Sequence, residues 1–169
     1  SYNFEENHTY DKTLCFSQIC DRKRQYLIQD LDNIDFIGRM ETGKFNNNKN
    51  YKGQYDRDIL NNEITKYSNF VLLSLIENTT PLVVKEALIC GLGVVVSETV
   101  SLELDCNQEF IDVVPEDKMN DIQYIKDVIE RNKKYSINHR KEIKEYGDKK
   151  FGLHSILKNE YIPKLESIV

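Results

Sequence analysis

Short apolar runs alternate with amphipathic segments along the chain of 169 residues. Runs rich in Val, Ile, Leu and Phe predict strands, whereas apolar residues three or four positions apart predict helices. The predicted strands cover residues 13–19, 34–40, 51–53, 70–75, 93–96 and 111–114, and the predicted helices cover 22–31, 56–68, 81–90, 119–132, 136–146 and 152–167. This alternation predicts an α/β fold: a Rossmann-like parallel sheet with helices on both faces and a helical C-terminus.

The segment between residues 70 and 97 has the clearest pattern. Residues 70–75 form a continuous apolar run, which is typical of a strand buried on both faces. Thr80 is a predicted N-cap, Pro81 suits a first helical turn, and Gly91 is predicted to end the helix. Because ligands of parallel sheets bind at the carboxyl ends of the strands, the residues after positions 19, 40, 75 and 97 are candidates for a site.

Composition and charge narrow the functional classes. The length suits a single domain over residues 1–169. A net charge of -5 argues against a nucleic-acid-binding protein, which needs a basic surface. No apolar run reaches the roughly 20 residues of a membrane-spanning helix. Four cysteines without CxxC spacing predict free thiols in a reducing compartment, and therefore a cytoplasmic protein.

The most informative motif lies in residues 81–95, which read Pro-Leu-Val-Val-Lys-Glu-Ala-Leu-Ile-Cys-Gly-Leu-Gly-Val-Val. It resembles the second half of the signature of retaining GT-B glycosyltransferases of family 4, in which a Glu precedes Ala-Met-Ala-Cys-Gly-Leu-Pro-Val-Val. It is most similar to the versions from large DNA viruses, and a viral source would place the protein in the host cytoplasm. The resemblance extends more weakly over residues 13–146. It implies one half of a GT-B fold, the domain that binds a nucleotide-diphosphate sugar, with an acceptor-binding domain upstream or on a partner chain.

The resemblance implies roles for two carboxylate positions. Glu86 matches the Glu that binds the ribose, since one carboxylate can accept hydrogen bonds from two neighbouring hydroxyls. The first Glu of the signature contacts the donor sugar, and seven residues usually separate it from the second. Glu77 and Glu86 enclose eight residues, so the strict spacing falls on Asn78, and both Glu77 and Asn78 are candidates for the catalytic position. The turn that follows adds four candidate donor contacts, which are Thr79, Thr80, Pro81 and Leu82.

A basic segment follows the first predicted strand. In the family this strand ends in Gly-Arg-Leu and a Lys-Gly pair follows, and the two cations neutralise the diphosphate. Here Ser17 replaces the Gly, Gln18 replaces the Arg, and Lys23 matches the Lys. Fixed cations stabilise the charge that develops on a diphosphate leaving group when no metal is present. The candidate donor contacts from this part of the chain are Gln18, Arg22, Lys23 and Arg24, together with Gly38 at the end of the second predicted strand.

Competing patterns leave the transferase hypothesis in the lead. Two Asp-x-Asp strings, at residues 30–32 and 56–58, lie on or beside predicted helices and not at a strand end, so we expect no metal and no cofactor. The leading hypothesis is a hexosyltransferase-type enzyme, retaining and metal-independent, that uses a UDP or GDP sugar and is incomplete as this domain alone. The alternatives are a non-catalytic module that binds a nucleotide sugar and a GT-B-fold epimerase, which would need more ionisable groups around the sugar.

Overall fold

A computed structural model describes residues 2–46 and 49–152 and contains one open sheet. Its strands are β1 (Thr13–Phe16), β2 (Ile34–Ile37), β3 (Asn69–Leu72), β4 (Gly93–Ser97) and β5 (Ile111–Val114). Neighbouring strands pair in parallel in the order β2-β1-β3-β4-β5. The predicted strand at 51–53 is reduced to a parallel bridge between Tyr51 and Phe36 at the outer side of β2. With that bridge, the order is the one found in doubly wound dinucleotide-binding sheets.

Four α-helices cover the sheet: α1 (Arg57–Glu63), α2 (Leu82–Ile89), α3 (Ile122–Ser136) and α4 (Arg140–Phe151). Short 3-10 turns follow α1 (Ile64–Lys66) and β5 (Glu116–Lys118). None of the helices within the described residues is long and apolar enough to cross a bilayer. The helix predicted at 152–167 lies outside the described residues.

The predicted helix at 22–31 is wrong. The structure has two 3-10 turns instead, Asp21–Lys23 and Gln25–Leu27. They are separated by Arg24, whose φ of 56° and ψ of 23° lie in the left-handed region. A residue in that conformation breaks an α-helix because the next amide no longer points along the helix axis. The apolar spacing of this segment therefore reflects packing against the sheet and not a continuous helix.

The core has two layers, one on each face of the sheet, as the alternation of side chains along a strand requires. On one face, Leu14, Phe70 and Val94 pack with residues of α1, α2 and α4. On the other face, Val71 and Val95 pack with residues of α3. All residues of β2, β3 and β4 are buried. The α/β fold with helices on both faces is confirmed.

The ends of α2 fix the two loops that flank it. Gly91, with φ of 78°, follows the helix, and the N–H groups of Gly91 and Leu92 donate to the carbonyls of Leu88 and Ala87 at 3.0 Å each. This arrangement satisfies the last carbonyls of the helix, so the prediction for Gly91 is confirmed. The N-cap prediction for Thr80 is wrong, because Pro81 occupies that position and no side chain caps the helix.

The Thr80 side chain bonds to the loop after β4 instead. Its hydroxyl donates to the carbonyl of Val100 at 2.9 Å and accepts from the N–H of Glu103 at 3.1 Å. Thr80 is also buried. The hydroxyl therefore joins the loop after β3 to the loop after β4, instead of closing the start of α2.

Candidate functional site

A cleft opens where the sheet changes direction. β1 lies beside β3, and the chain continues from them to opposite sides of the sheet, which is the place where open parallel sheets form a crevice. The cleft has a volume of about 400 Å³. Its walls come from the segments that follow β1, β2 and the Tyr51 bridge, and from the first turn of α2. The lining includes Ser17, Gln18, Gly38, Tyr55 and Val83.

Gly38 lines this cleft. Its φ is 147°, and a Cβ atom there would lie 1.9 Å from the carbonyl oxygen of Ser17. That oxygen belongs to the main chain, so it has little freedom to move aside. The loops after β1 and β2 can therefore approach each other this closely only with glycine at position 38.

Glu86 is buried on α2, the helix whose first turn lines the cleft through Val83. It lies one helical turn after Val83, and its side chain is only 2% exposed. One carboxylate oxygen, Oε1, accepts from the guanidinium of Arg57 on α1. The other oxygen, Oε2, is fully buried and accepts no hydrogen bond from any described residue. A buried acceptor without a donor is costly, so this oxygen is suited to a ligand that brings its own donor.

Arg57 and Tyr2 hold this carboxylate from the outside. The Arg57 guanidinium also donates to the Tyr2 hydroxyl and lies 5.4 Å from the centre of the Tyr2 ring. The hydrogen bond to Glu86 raises the pKa of Arg57 above its ordinary value. Burial, followed by a hydrogen bond with the Glu86 side chain and by the charge of that carboxylate, raises the pKa of Tyr2. The hydrogen bond from Arg57 thus holds Oε1 of Glu86 in place. Because the carboxylate is planar, this contact also restricts the orientation of Oε2.

A second group of charged residues lies where β1 and β3 end. Lys23 Nζ and Arg22 Nη1 both donate to Glu77 Oε1, the latter at 3.1 Å. The side chains of Lys23 and Glu77 are only 9% and 14% exposed, whereas that of Arg22 is half-exposed. Burial acts to raise the pKa of Glu77, but hydrogen bonds from Lys23 and Ser74 and the charges of Lys23 and Arg22 outweigh it and lower that pKa below its ordinary value.

The backbone supports this ion-pair cluster. The N–H of Leu75 donates to the carbonyl of Arg22 at 2.8 Å, and the Arg22 guanidinium donates to the carbonyl of Ile76 at 3.1 Å. A small cavity of about 190 Å³ lies between Arg22, Glu77 and Asn78. The loop after β1 is thus bound to the loop after β3 through both main chain and charge.

The remaining candidate residues are placed as follows. The Gln18 amide donates to the carboxylate of Glu41. Arg24 makes two bonds to the Glu116 carboxylate, at 2.9 and 2.5 Å, and so turns away from Glu77. Pro81 precedes α2 and Thr80 is tied to the next loop. Asn78, Thr79 and Leu82 are exposed, and Asn78 borders the small cavity beside Glu77.

Two residues that hold the site have no signal in the sequence. Gln25, which is buried, donates through Nε2 to the hydroxyl of Ser17 at 2.8 Å and to the carbonyl of Gln18 at 2.9 Å. Arg57 is the other. Only the tertiary contacts distinguish them from ordinary polar residues of a loop or helix.

No group of three His, Cys, Asp or Glu side chains that could hold a metal ion occurs among residues 2–46 and 49–152. Of the Asp-x-Asp strings, Asp56 precedes α1 and Asp58 lies in its first turn. The cations at the site are the side chains Lys23 and Arg22, which reach the carboxyl ends of β1 and β3.

No protein-family model matches the chain, and no curated protein matches its sequence. Solved structures do match. HepE from Anabaena in complex with UDP-glucose aligns with a TM-score of 0.65 and 15% identity over 95% of this chain and 49% of that one. Sucrose-phosphate synthase from Thermosynechococcus elongatus aligns with a TM-score of 0.67 and 14% identity, over 94% of this chain and 46% of that one.

A third match is the pneumococcal O-GlcNAc transferase GtfA in complex with UDP and GlcNAc, with a TM-score of 0.65 and 14% identity. It covers 99% of this chain and 37% of that one. The chain therefore spans about half the length, or less, of the structures it resembles. These structures are GT-B glycosyltransferases, and the fold of this chain is that of one GT-B glycosyltransferase domain.

Proposed function

We propose that this chain is the donor-binding domain of a glycosyltransferase of the family 4 type, which transfers a sugar from a nucleotide-diphosphate sugar with retention of configuration and without a metal. The fold supports the class of protein. The complexes of HepE with UDP-glucose and of GtfA with UDP and GlcNAc support the class of ligand. The similarity to the versions from large DNA viruses, and a location in the cytoplasm, stay predictions from the sequence.

The observation that carries this proposal is the buried, unpaired oxygen of Glu86. A ribose presents two neighbouring hydroxyls, and each can donate to a carboxylate. Arg57 occupies Oε1 from the side of α1, and Oε2 has no donor among the described residues. A ribose hydroxyl would satisfy this acceptor and remove a cost of about 1–3 kcal/mol. We therefore assign the ribose to Glu86 and the adjoining base to the 400 Å³ cleft that contains Gly38.

The diphosphate belongs at Lys23 and Arg22. Both cations lie in the 3-10 turn Asp21–Lys23 after β1, next to the loop after β3, where Glu77 and Asn78 border a small cavity. When the sugar leaves, negative charge develops on the diphosphate, and fixed cations stabilise it without a metal. Sugar contacts then come from the loop that carries Glu77, Asn78 and Thr79.

The acceptor requires a second domain. The chain spans about half the length of its structural neighbours, so we propose that an acceptor-binding domain of the same or a partner chain completes the cleft. A non-catalytic nucleotide-sugar module remains the second candidate, because half a cleft can bind a donor without turnover. An epimerase is the third, although the sugar side of the site offers few ionisable groups besides Glu77.

Titration calorimetry with UDP, GDP, UDP-glucose and uridine tests the proposal. We expect a nucleoside diphosphate to bind more tightly than its nucleoside, and binding to persist in EDTA. Failure of both UDP and GDP to bind at millimolar concentration would refute it. Turnover with the second domain added would separate the transferase from the binding module, and release of the sugar epimer would identify the epimerase.

A further inference from the structure

We propose that Glu77 is a built-in competitor of the donor's diphosphate: it holds Lys23 and Arg22 in this structure, is displaced when the diphosphate binds, and leaves the sugar contact to Asn78. This inference rests on the proposed function. It assigns different roles to two adjacent residues that the sequence leaves as alternatives for a single position.

The ion-pair cluster is built around a single oxygen. Lys23 and Arg22 both donate to Glu77 Oε1, so one carboxylate oxygen takes a hydrogen bond from each of the two cations. Among the described residues, Glu77 is the only carboxylate within ion-pair distance of Lys23. The third cation of the segment, Arg24, is paired with Glu116 instead. Glu77 thus neutralises the cations that a diphosphate needs.

The carboxylate and a phosphate cannot share these donors. The Lys23 ammonium is largely buried and close to Glu77, so a phosphate oxygen that reaches Lys23 must come close to the Glu77 carboxylate as well. Like charges at such distances repel strongly where water is partly excluded. A diphosphate carries more negative charge than one carboxylate, so it displaces Glu77, but at a cost in affinity. The same competition favours release of the nucleoside diphosphate after the sugar has been transferred.

Asn78 is left for the sugar. It is the residue at the strict family spacing from Glu86, it is exposed, and it borders the same cavity as Arg22 and Glu77. Its amide offers both donors and an acceptor to sugar hydroxyls, and no charge that would repel the phosphates. One extra residue in the turn has therefore separated the carboxylate from the sugar-binding position.

Calorimetry on two substitutions separates these roles. The variants are Glu77→Gln, which keeps the size but removes the charge, and Asn78→Ser, which shortens the side chain assigned to the sugar. The ligands are UDP, uridine, UDP-glucose and inorganic pyrophosphate. We expect Glu77→Gln to bind UDP and pyrophosphate about tenfold more tightly or better, with uridine unchanged. Asn78→Ser should leave UDP unchanged and weaken UDP-glucose relative to UDP.

A second substitution of Glu77 keeps the test decisive if Glu77→Gln does not fold. Glu77→Asp keeps the charge but draws it back from Lys23 by one methylene, so its affinity for pyrophosphate should fall between those of the parent and Glu77→Gln. Thermal melting by circular dichroism establishes that each variant is folded. If Glu77→Gln does not fold, Glu77→Asp decides the question, and an affinity equal to or below that of the parent overturns the inference.

The contrary results are specific. If Glu77→Gln binds UDP no more tightly than the parent, Glu77 is not a competitor. If it weakens UDP-glucose while leaving UDP unchanged, Glu77 is itself the sugar contact. If the parent binds pyrophosphate as tightly as UDP, the nucleoside contributes nothing to binding and the proposed function is refuted. The pyrophosphate affinities of the parent and the Glu77 variants would still test the competition. If neither parent nor variant binds pyrophosphate, the inference fails as well.

Discussion

Replacing Glu86 with glutamine tests whether the buried carboxylate binds a ribose or only stabilises the fold. Glutamine keeps the volume of the side chain, and its amide oxygen can still accept from Arg57. The buried Oε2, however, becomes an amide group that cannot accept a hydrogen bond. Loss of one charge-assisted hydrogen bond to the ribose costs about 1.5–3 kcal/mol. At about 1.4 kcal/mol per factor of ten, the Kd for UDP or GDP should rise by roughly 10- to 150-fold.

The folded state should change much less. Arg57 is 55% exposed, so solvent screens its ion pair with Glu86, and the pair contributes no more than about 1 kcal/mol. For a chain of this length, that is a shift in Tm of about 2–4 °C. Glu145→Gln, an exposed carboxylate on α4, is the matched control and should change neither Tm nor affinity.

The assay is calorimetry with UDP and 2′-deoxy-UDP on the parent and both variants, together with thermal melting. The deoxynucleotide lacks one of the two hydroxyls, so Glu86→Gln should weaken it by a smaller factor than it weakens UDP. Equal affinity of Glu86→Gln and parent for UDP would refute the ribose assignment. A Tm far below that of the parent would instead identify Glu86 as a structural ion-pair residue of α1 and α2.

Three further predictions concern the site and its surroundings. Lys23→Ala should weaken UDP about tenfold or more and leave uridine nearly unchanged in calorimetry, because the lost contact is to phosphate charge; equal losses would make Lys23 structural. Gly38→Ala should lower the free energy of unfolding by about 2 kcal/mol or more in urea denaturation, because the new Cβ meets a main-chain oxygen. Gly53→Ala, with open space around its Cβ, should lower it clearly less. Equal losses of stability would contradict the steric argument. In a thiol titration with a disulfide reagent, the exposed Cys106 should react at once. Cys90 should react only after unfolding, because burial raises its pKa to about 12. Early reaction of Cys90 would show that α2 opens locally.

The strands and the central helix follow from the sequence because their patterns are local. A run of apolar residues such as 70–75 has few alternatives to a buried strand, and the Gly91 turn depends only on its own conformation. The two turns at residues 21–27 do not follow, since Arg24 is bound by Glu116, which is far away in sequence. Local spacing favours a helix there, and a tertiary contact overrides it.

The resemblance supplies candidate positions for the site but not the contacts between them. The resemblance points to Glu86, Lys23 and the loop at Glu77, and the structure pairs Lys23 with Glu77 and places Glu86 on the helix that follows β3. It gives no indication that Arg57 holds Glu86 or that Lys23 and Glu77 pair with each other. Both contacts join separate elements of the chain, so they depend on how the helices and loops pack together.

The left-handed backbone at Arg24 has a consequence for how this sequence varies among relatives. A side chain in that conformation costs about 1–2 kcal/mol, which a glycine avoids. In the Lys-Gly pair that Lys23 resembles, the residue after the Lys is a glycine. The two bonds between Arg24 and Glu116 offset part of that cost here. Positions 24 and 116 should therefore vary together: relatives with glycine at 24 are free to change residue 116, and relatives with arginine at 24 retain an acid at 116.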